Sequence, residues 1–253
     1  MINDKLENFY NENVDKKPPY IHKPKFESDF DTYQWIINDS GFPYWEVPLD
    51  IPYKEMYDEV LSIKDLFMDH RSNDPTQGGY SHDGWSSLTI HGISSGHTMN
   101  WDSYPEYAQL GDESKVPYKW TEISDLVPFT YKFLTQYFPH QSYMRVRFMK
   151  LKPGGYILPH RDREKKLLYP INIALNNPEG CEFVMEGMGI VPFEPGKGFM
   201  VDVSNRHIVW NKSNEDRIHL IVHWWPGQYH EDSGRRWAQM VNQLYIAHDK
   251  SLI

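Results

Sequence analysis

The sequence predicts a mainly β protein with flanking helices, its core a jelly roll or barrel. Three observations predict it. From Tyr143 to Trp225, short strand-forming runs alternate with Gly, Pro and Asn turn clusters, the pattern of a sheet that repeatedly folds back on itself. Helical apolar spacing is confined to stretches outside that region. Within it, His160-Arg161-Asp162 is followed 47 residues later by His207, which leaves room for several strands to wrap round and return.

The elements follow in order. Residues 1–30 are polar, with Lys16-Lys17-Pro18-Pro19 and Lys23-Pro24-Lys25, and read as an arm or an irregular wrap. Tyr53 to Met68 has helical spacing through Met56, Val60, Leu61, Ile63 and Phe67. Gly84–Gly92 reads as a strand. Thr121 to Phe138 contains a second helix, with Pro128 suited to its first turn and apolar faces from Phe129, Tyr131, Phe133, Leu134 and Tyr137. Tyr143–Leu151 is a strand, Pro153-Gly154-Gly155 a turn, and Tyr156–Pro159 leads into His160. Strands are expected at Leu167–Leu175, Cys181–Met185, Phe199–Val203, His207–Trp210 and Arg217–Trp225, with turns at Asn176–Gly180, Glu186–Gly189 and Pro195–Gly198. Ser233 to Ala247 carries a helical stripe of Trp237, Met240, Val241, Leu244 and Tyr245, expected to pack on the barrel.

Composition fits a globular protein: 40% hydrophobic, 24% charged and 15% aromatic over 253 residues, enough for one large β domain with a helical layer. Cys181 is the sole cysteine, so no internal disulfide forms, which fits a reducing compartment. The N-terminal stretch lacks a basic segment followed by an apolar one, and no apolar run is long enough for a membrane span; a cytoplasmic location without membrane partners is expected. A net charge of −9 with no basic stripe argues against nucleic acid as a partner.

Chemistry concentrates on four residues. With 12 His and 19 Asp in the chain, a His-x-Asp tripeptide arises by chance about as often as it occurs, so the motif needs context. The second copy, His230-Glu231-Asp232, lies in a polar stretch and reads as solvated surface. The first follows a strand, and residues two apart in an extended segment share a side. His160 and Asp162 can therefore share a metal with His207 while Arg161 faces away. Two imidazoles and a carboxylate that leave positions open are the ligand set of non-haem Fe(II) oxygenases. Arg217 opens the last strand, where alternation puts Arg217, His219, Ile221 and His223 on one face. On an inner face its planar fork suits a carboxylate; on the rim it would pair with Glu215 or Asp216. His219 and His223 are either core histidines or pocket residues. Trp210 is either a wall of the site or packed core.

Four pieces, Leu151–Asp162, Phe193–Gly198, Val201–Asn211 and Asp216–His223, resemble the Fe(II)/2-oxoglutarate-dependent dioxygenases of the aspartyl/asparaginyl β-hydroxylase-like family. The resemblance spans about a third of the chain, from Tyr143 to Trp225. It implies a double-stranded β-helix, the cupin-like jelly roll. It implies iron on His160, Asp162 and His207, the distal carboxylate of 2-oxoglutarate on Arg217, and O2 as co-substrate, with a C–H bond hydroxylated and succinate and CO2 released. Some members hold the other carboxylate with an Arg and a His on the strand after the first ligands. Here Tyr169-Pro170-Ile171-Asn172 has neither, and Asn172 is either a hydrogen-bonding replacement or a buried Asn bonded to backbone; His219 is a further co-substrate candidate.

The resemblance also places substrate contacts upstream, where Ser94–Tyr107, including Trp101, is polar, aromatic and loop-like. Arg145 and Arg147, two apart on one strand face, either bind a substrate carboxylate or form a solvated face. The expected organisation is a single dioxygenase domain over 1–253: an N-terminal arm (1–30), mixed helical and strand elements on the substrate side (31–140), the jelly-roll catalytic core (141–226) and a C-terminal helix (227–253). The expected substrate is an amino acid or an Asp/Asn- or Pro-type residue of a short peptide or protein. Two readings compete: a cupin-like metalloenzyme that does not use 2-oxoglutarate, and a non-catalytic jelly-roll binding protein.

Overall fold

Two helices precede the sheet in a computed structural model that describes residues 2–19, 21–22, 24–47, 49–70, 81–138, 142–162, 164 and 170–224. Helix α1 (Ile2–Asn13) occupies what the sequence suggested was an irregular arm. Leu6 and Phe9 explain the difference: one turn apart, both are buried with Val184 and Ile208 on the outer face of the sheet. Two buried apolar side chains are a short signal in an otherwise polar stretch. Helix α2 (Asp29–Asn38) starts at Ser28, whose hydroxyl accepts the amide of Asp31.

The chain then runs through β1 (Tyr44–Val47), α3 (Tyr53–Ser62), β2 (Met68–Asp69) and β3 (His82–Gly92). The helix expected to reach Met68 ends at Ser62, because Met68 leaves it to pair with Ser87 on the edge of β3. After α4 (Pro105–Ala108) and β4 (Lys119–Trp120), α5 (Ile123–Leu126) is separated from α6 (Pro128–Lys132) at Val127. Val127 has φ −128° and ψ 60°, outside the helical region that a residue before proline avoids. Pro128 opens α6 as expected, and a π turn, Phe133–Tyr137, closes it. Phe133 and Leu134 enter the core, whereas Phe129, Tyr131 and Tyr137 remain exposed.

The remaining strands are β5 (Tyr143–His160), β6 (Ile171–Ala174), β7 (Cys181–Met185), β8 (Gly189–Ile190), β9 (Gly198–Val201), β10 (His207–Asn211) and β11 (Arg217–Trp224). All pairings are antiparallel, in the order β1-β9-β6-β11-β5-β10-β7-β8, with β3 on the other edge of β5 carrying β2 and β4. The sheet curls, and the fold is the mainly β jelly roll that the sequence predicts. The expected helix Ser233–Ala247, the decoy His230-Glu231-Asp232, residues 165–169 and Trp225 lie outside the described residues.

Strand β5 organises the rest. Its first half, Tyr143–Leu151, pairs with β11, and its end, Tyr156–His160, pairs with β10. Pro153-Gly154-Gly155 is therefore a protrusion within one long strand, not a turn between two. Gly154 has φ 70°, and a Cβ on Gly155 would lie 2.8 Å from the Lys152 carbonyl oxygen and 2.9 Å from that of Asp83, so only glycine fits. Asn211, fully buried, donates to the carbonyls of Leu151, Lys152 and Glu215 and accepts from the Ser213 amide and hydroxyl. One side chain thus ties the protrusion to the loop that launches β11.

The sheet has apolar packing on both faces. The largest cluster, including Val146, Phe148, Leu220 and Trp224, lies under α2, α3, α5 and α6. A second, inside the curl, joins Leu151, Ile157, Phe183, Phe193, Phe199 and Val209 beside the site.

Candidate metal and anion site

His160 and His207 are opposed across β5 and β10, with ring centroids 4.3 Å apart. Strict alternation would have spoiled this. Ile157 faces the inner cluster and Leu158 the outer one, so an unbroken strand would turn His160 outward. Three residues of β5, from Ile157 to His160, instead span two of β10, Val209 to His207. This β-bulge contains Pro159, which has no amide to lose, and it resets the phase so that His160 faces inward. Asp162, just beyond the strand, is pinned through its amide to the Val203 carbonyl at 3.0 Å.

The three side chains converge: one donor atom from each lies within 4.8 Å of the others. His160 Nε2 is 3.7 Å from Asp162 Oδ1, and His207 Nε2 is 3.9 Å from Asp162 Oδ2. His160 Nδ1 donates to the Leu158 carbonyl at 2.7 Å and His207 Nδ1 to the Asn205 carbonyl at 2.8 Å. A carbonyl only accepts, so each proton is on Nδ1 and each Nε2 lone pair points into the site. The Asn205 carbonyl is held by the turn before it, where the buried Asp202 carboxylate accepts from Ser204 and the Asn205 side chain. Phe183 stacks on His207 at 4.7 Å and 11°, fixing the ring from its other side. Adjacent donors on a six-coordinate ion with bonds near 2.1 Å stand roughly 3 Å apart, so small side-chain adjustments close the set around a metal. Two imidazole nitrogens and one carboxylate oxygen fit Fe(II). Arg161 points away and pairs with the exposed Glu186.

Two rings, Phe183 and Phe193, separate Arg217 from His207. Phe193 packs on Phe183 at 6.1 Å, and the Arg217 guanidinium sits 5.8 Å from the Phe193 centroid. Arg217 is buried, and among the described residues no carboxylate pairs with it. Burial depresses its pKa, and also pushes the nearby Cys181 thiol up to about 11 against the pull of Arg217, so that thiol is neutral. Arg217 Nη2 donates to His219 Nδ1 at 2.9 Å. A guanidinium has only hydrogens to offer, so His219 carries its proton on Nε2, which faces Asn177 Oδ1 at 3.3 Å. Burial first, then the Arg217 charge, holds the His219 pKa well below its ordinary value, and the ring is neutral. Asn172 Oδ1 stands 2.8 Å from His219 Nδ1; because that nitrogen accepts from Arg217, a hydrogen bond here requires the amide turned to present its NH2 group. His219 is thus neither a backbone-bonded core histidine nor an open pocket residue; it is a bracket for Arg217.

A cavity of about 310 Å³ opens beside these groups, and Asp162, Asn172, Trp101, Arg145, Arg147 and His223 are on its walls. Arg145 and Arg147 are not a solvated face: Arg147 is only 5% exposed. Trp210 is not a wall. Three residues from His207, it lies on the opposite face and packs edge-on against Tyr10 of α1 at 5.4 Å. Sequence reasoning passed over Phe183, Phe193, Asn177 and Asp202. Of these only Asp202 had a local signal, the Asp-x-Ser-Asn composition of a turn where the end of the strand Phe199–Val203 was expected.

No curated protein is significantly similar to the chain. Similar solved structures include a viral collagen prolyl hydroxylase from Paramecium bursaria Chlorella virus-1 (12% identity, 72% of this chain and 96% of that one, TM-score 0.38). Others are a prolyl-4-hydroxylase from Pseudomonas putida (10%, 76% and 95%, 0.38) and HygX from Streptomyces hygroscopicus (11%, 79% and 87%, 0.38). Likeness at this level says nothing about substrate. The family model described as Aspartyl/Asparaginyl beta-hydroxylase matches residues 53–226, well over half of the chain and the whole stretch from α3 to β11. By that match, the chain belongs to the aspartyl/asparaginyl β-hydroxylase family of Fe(II)/2-oxoglutarate-dependent oxygenases.

Proposed function

We propose that this enzyme hydroxylates a C–H bond of an amino acid or of an Asp/Asn- or Pro-type peptidyl residue, using Fe(II), 2-oxoglutarate and O2 and releasing succinate and CO2. One observation carries the reading: a convergent His-Asp-His donor set is linked through the rings of Phe183 and Phe193 to a buried arginine that has no carboxylate partner among the described residues.

His160, Asp162 and His207 would hold the iron and leave three positions of an octahedral ion open. Bound together, iron, 2-oxoglutarate and O2 supply an oxidant able to break an unactivated C–H bond. The protein's part is aim and environment. The Leu158 and Asn205 carbonyls fix the imidazole tautomers. Arg217 offers a planar fork to the far carboxylate of 2-oxoglutarate, and the neutral His219 sets the direction of that fork without cancelling its charge. Asn172 stands between this pair and the cavity, placed to hydrogen-bond the co-substrate. Phe183 and Phe193 keep water from the ion pair, which strengthens it. A metalloenzyme working without 2-oxoglutarate has no use for a buried cation here.

The test is anaerobic. With iron present, 2-oxoglutarate at 100 times its dissociation constant should stabilise the protein by about 2.7 kcal/mol, seen as a higher melting temperature. Arg217→Met should abolish that shift while leaving iron bound, and His160→Ala should lose the iron. A wild-type protein that 2-oxoglutarate does not stabilise would sink the reading; an unchanged shift in Arg217→Met would sink the role of Arg217.

A further inference from the structure

The link between β9 and β10 does more than join two strands. It runs from Asp202 to Arg206, and two of its carbonyls each hold one member of the His160-Asp162-His207 cluster. The Val203 carbonyl accepts the Asp162 amide at 3.0 Å, and the Asn205 carbonyl accepts His207 Nδ1–H at 2.8 Å. Where those two oxygens point decides where the Asp162 carboxylate and the His207 lone pair go.

Both directions are set by one side chain. Asp202 Oδ1 accepts the Ser204 amide at 3.2 Å and the Ser204 hydroxyl at 2.7 Å, and Oδ2 accepts Asn205 Nδ2 at 3.1 Å. The backbone closes the same loop. The Asn205 amide donates to the Asp202 carbonyl at 3.1 Å, and the Asp202 amide donates to the Pro43 carbonyl at 2.8 Å, just ahead of β1. Asp202 thus braces residues 203–205 from inside the turn and anchors them to the approach of a neighbouring strand.

The residue type bears on what this brace is for. A turn alone is served by a neutral Asn or Ser, whose side chain bonds the backbone two residues on. Only a carboxylate accepts at both oxygens, as the Ser204 and Asn205 donors require. The cost is a charge on a residue only 5% exposed, with which no cation pairs among the described residues. Neutral donors solvate that charge without cancelling it. The cost is accounted for if the carbonyl directions matter to the ligands they hold.

Building on the metal site of the hydroxylase reading above, we propose that Asp202 is a positioning residue: through the Val203 and Asn205 carbonyls it aims two of the three metal ligands. It is not one of the converging donors itself and acts through the backbone of its own turn.

The test has two readouts, neither of them turnover. In metal-free protein carrying nitrogen-15-labelled histidine, the His207 Nδ1–H proton should exchange slowly with solvent; His207→Gln identifies its signal. Asp202→Asn should lose that protection. Co(II) is then titrated in place of iron. Asp202→Asn should weaken its binding roughly 10–100-fold, the usual effect of removing a group that orients a ligand. It should also change the visible absorption bands of Co(II), which report ligand geometry and which a general loss of stability would not move. Ser204→Ala removes one donor to the carboxylate and should show the same changes to a smaller degree, with binding weakened at least threefold. If the Asp202→Asn protein does not fold, Ser204→Ala decides by the same criteria. Binding within twofold of the wild type with unchanged bands would make Asp202 a turn former only and overturn the proposal. Weaker binding with the His207 ring proton still protected and the bands unchanged would overturn it as well. A wild-type protein that binds no Co(II) would remove the metal-site reading instead, while the ring proton still tests the link from Asp202 to His207.

Discussion

His91 shows how one buried residue sets a pH limit. It is 7% exposed on β3, its Nδ1 donates to the Met144 carbonyl at 3.1 Å, and Trp120 and Tyr143 pack on its ring. Burial pulls its pKa from 6.5 down to about 4, with the Met144 hydrogen bond opposing this only in part. The unfolded chain therefore takes up the proton first as pH falls. The stability contributed by a neutral His91 is complete above pH 6.5 and is lost progressively toward pH 4, by on the order of 3 kcal/mol. Urea titrations of the metal-free protein should show this decline, and His91→Gln should flatten it; parallel pH profiles would contradict the assignment. At this scale the sequence was most legible where chemistry restricts residue type. His160, Asp162, His207 and Arg217 stood out because few side chains bind a metal or a buried anion. Asn211, Asp202 and Asn177 did not, because each serves backbone or side-chain groups that only the folded chain brings near.

Among the elements, α6 depends on a neighbour. Its first amides, Phe129 at 2.6 Å and Thr130 at 2.9 Å, donate to the Glu59 carboxylate of α3, which also accepts the Thr130 hydroxyl at 2.8 Å. A carboxylate at a helix N-terminus satisfies orphan amides and the helix dipole together. Glu59→Ala should therefore cost about 1–2 kcal/mol in chemical denaturation. An effect no larger than that of an exposed Glu→Ala elsewhere on α3 would remove this cap from the account. The bulge at Pro159 makes a sharper prediction. Inserting one residue between Ile208 and Val209 gives β10 the same three-step span as β5, erases the bulge and restores plain alternation, which should turn His160 outward and abolish iron binding while far-ultraviolet circular dichroism keeps its β signature. Retained iron affinity would show that the bulge does not aim the ligand. Most strands from Tyr143 to Trp224 could be read from composition and turn residues. The phase of His160 could not, since a bulge arises from pairing between β5 and β10. Nor could the early end of α3, settled by the edge of β3.

Over the whole molecule, α1 closes the outer face of the sheet behind the His160-Asp162-His207 cluster. Leu6 and Phe9 are buried on Val184 and Ile208, Tyr10 packs on Trp210, and Asn13 Oδ1 accepts the Gly187 amide at 2.7 Å. Phe9→Ala should cost about 3–5 kcal/mol by the usual cost of a vacated aromatic site, seen in the melting temperature and as faster proteolysis before residue 20. A loss below 1 kcal/mol would mean that α1 is not part of the cooperative fold. The curled sheet was foreseen; this helical buttress was not, because its apolar signal is two residues set among charges. No helix of the described residues is long and apolar enough to cross a membrane.

The protrusion in β5 has a further consequence for redesign. Upstream of it the strand carries Arg145 and Arg147 and leans on β11; downstream it carries His160 and leans on β10. The two halves keep separate neighbours, joined by a collar that Asn211 holds rigid. Changes in the first half of the strand are therefore mechanically insulated from the His160 end, although one continuous strand carries both. Substitutions confined to Arg145, Arg147 and Met149 should reshape the cavity wall they line and leave iron affinity intact.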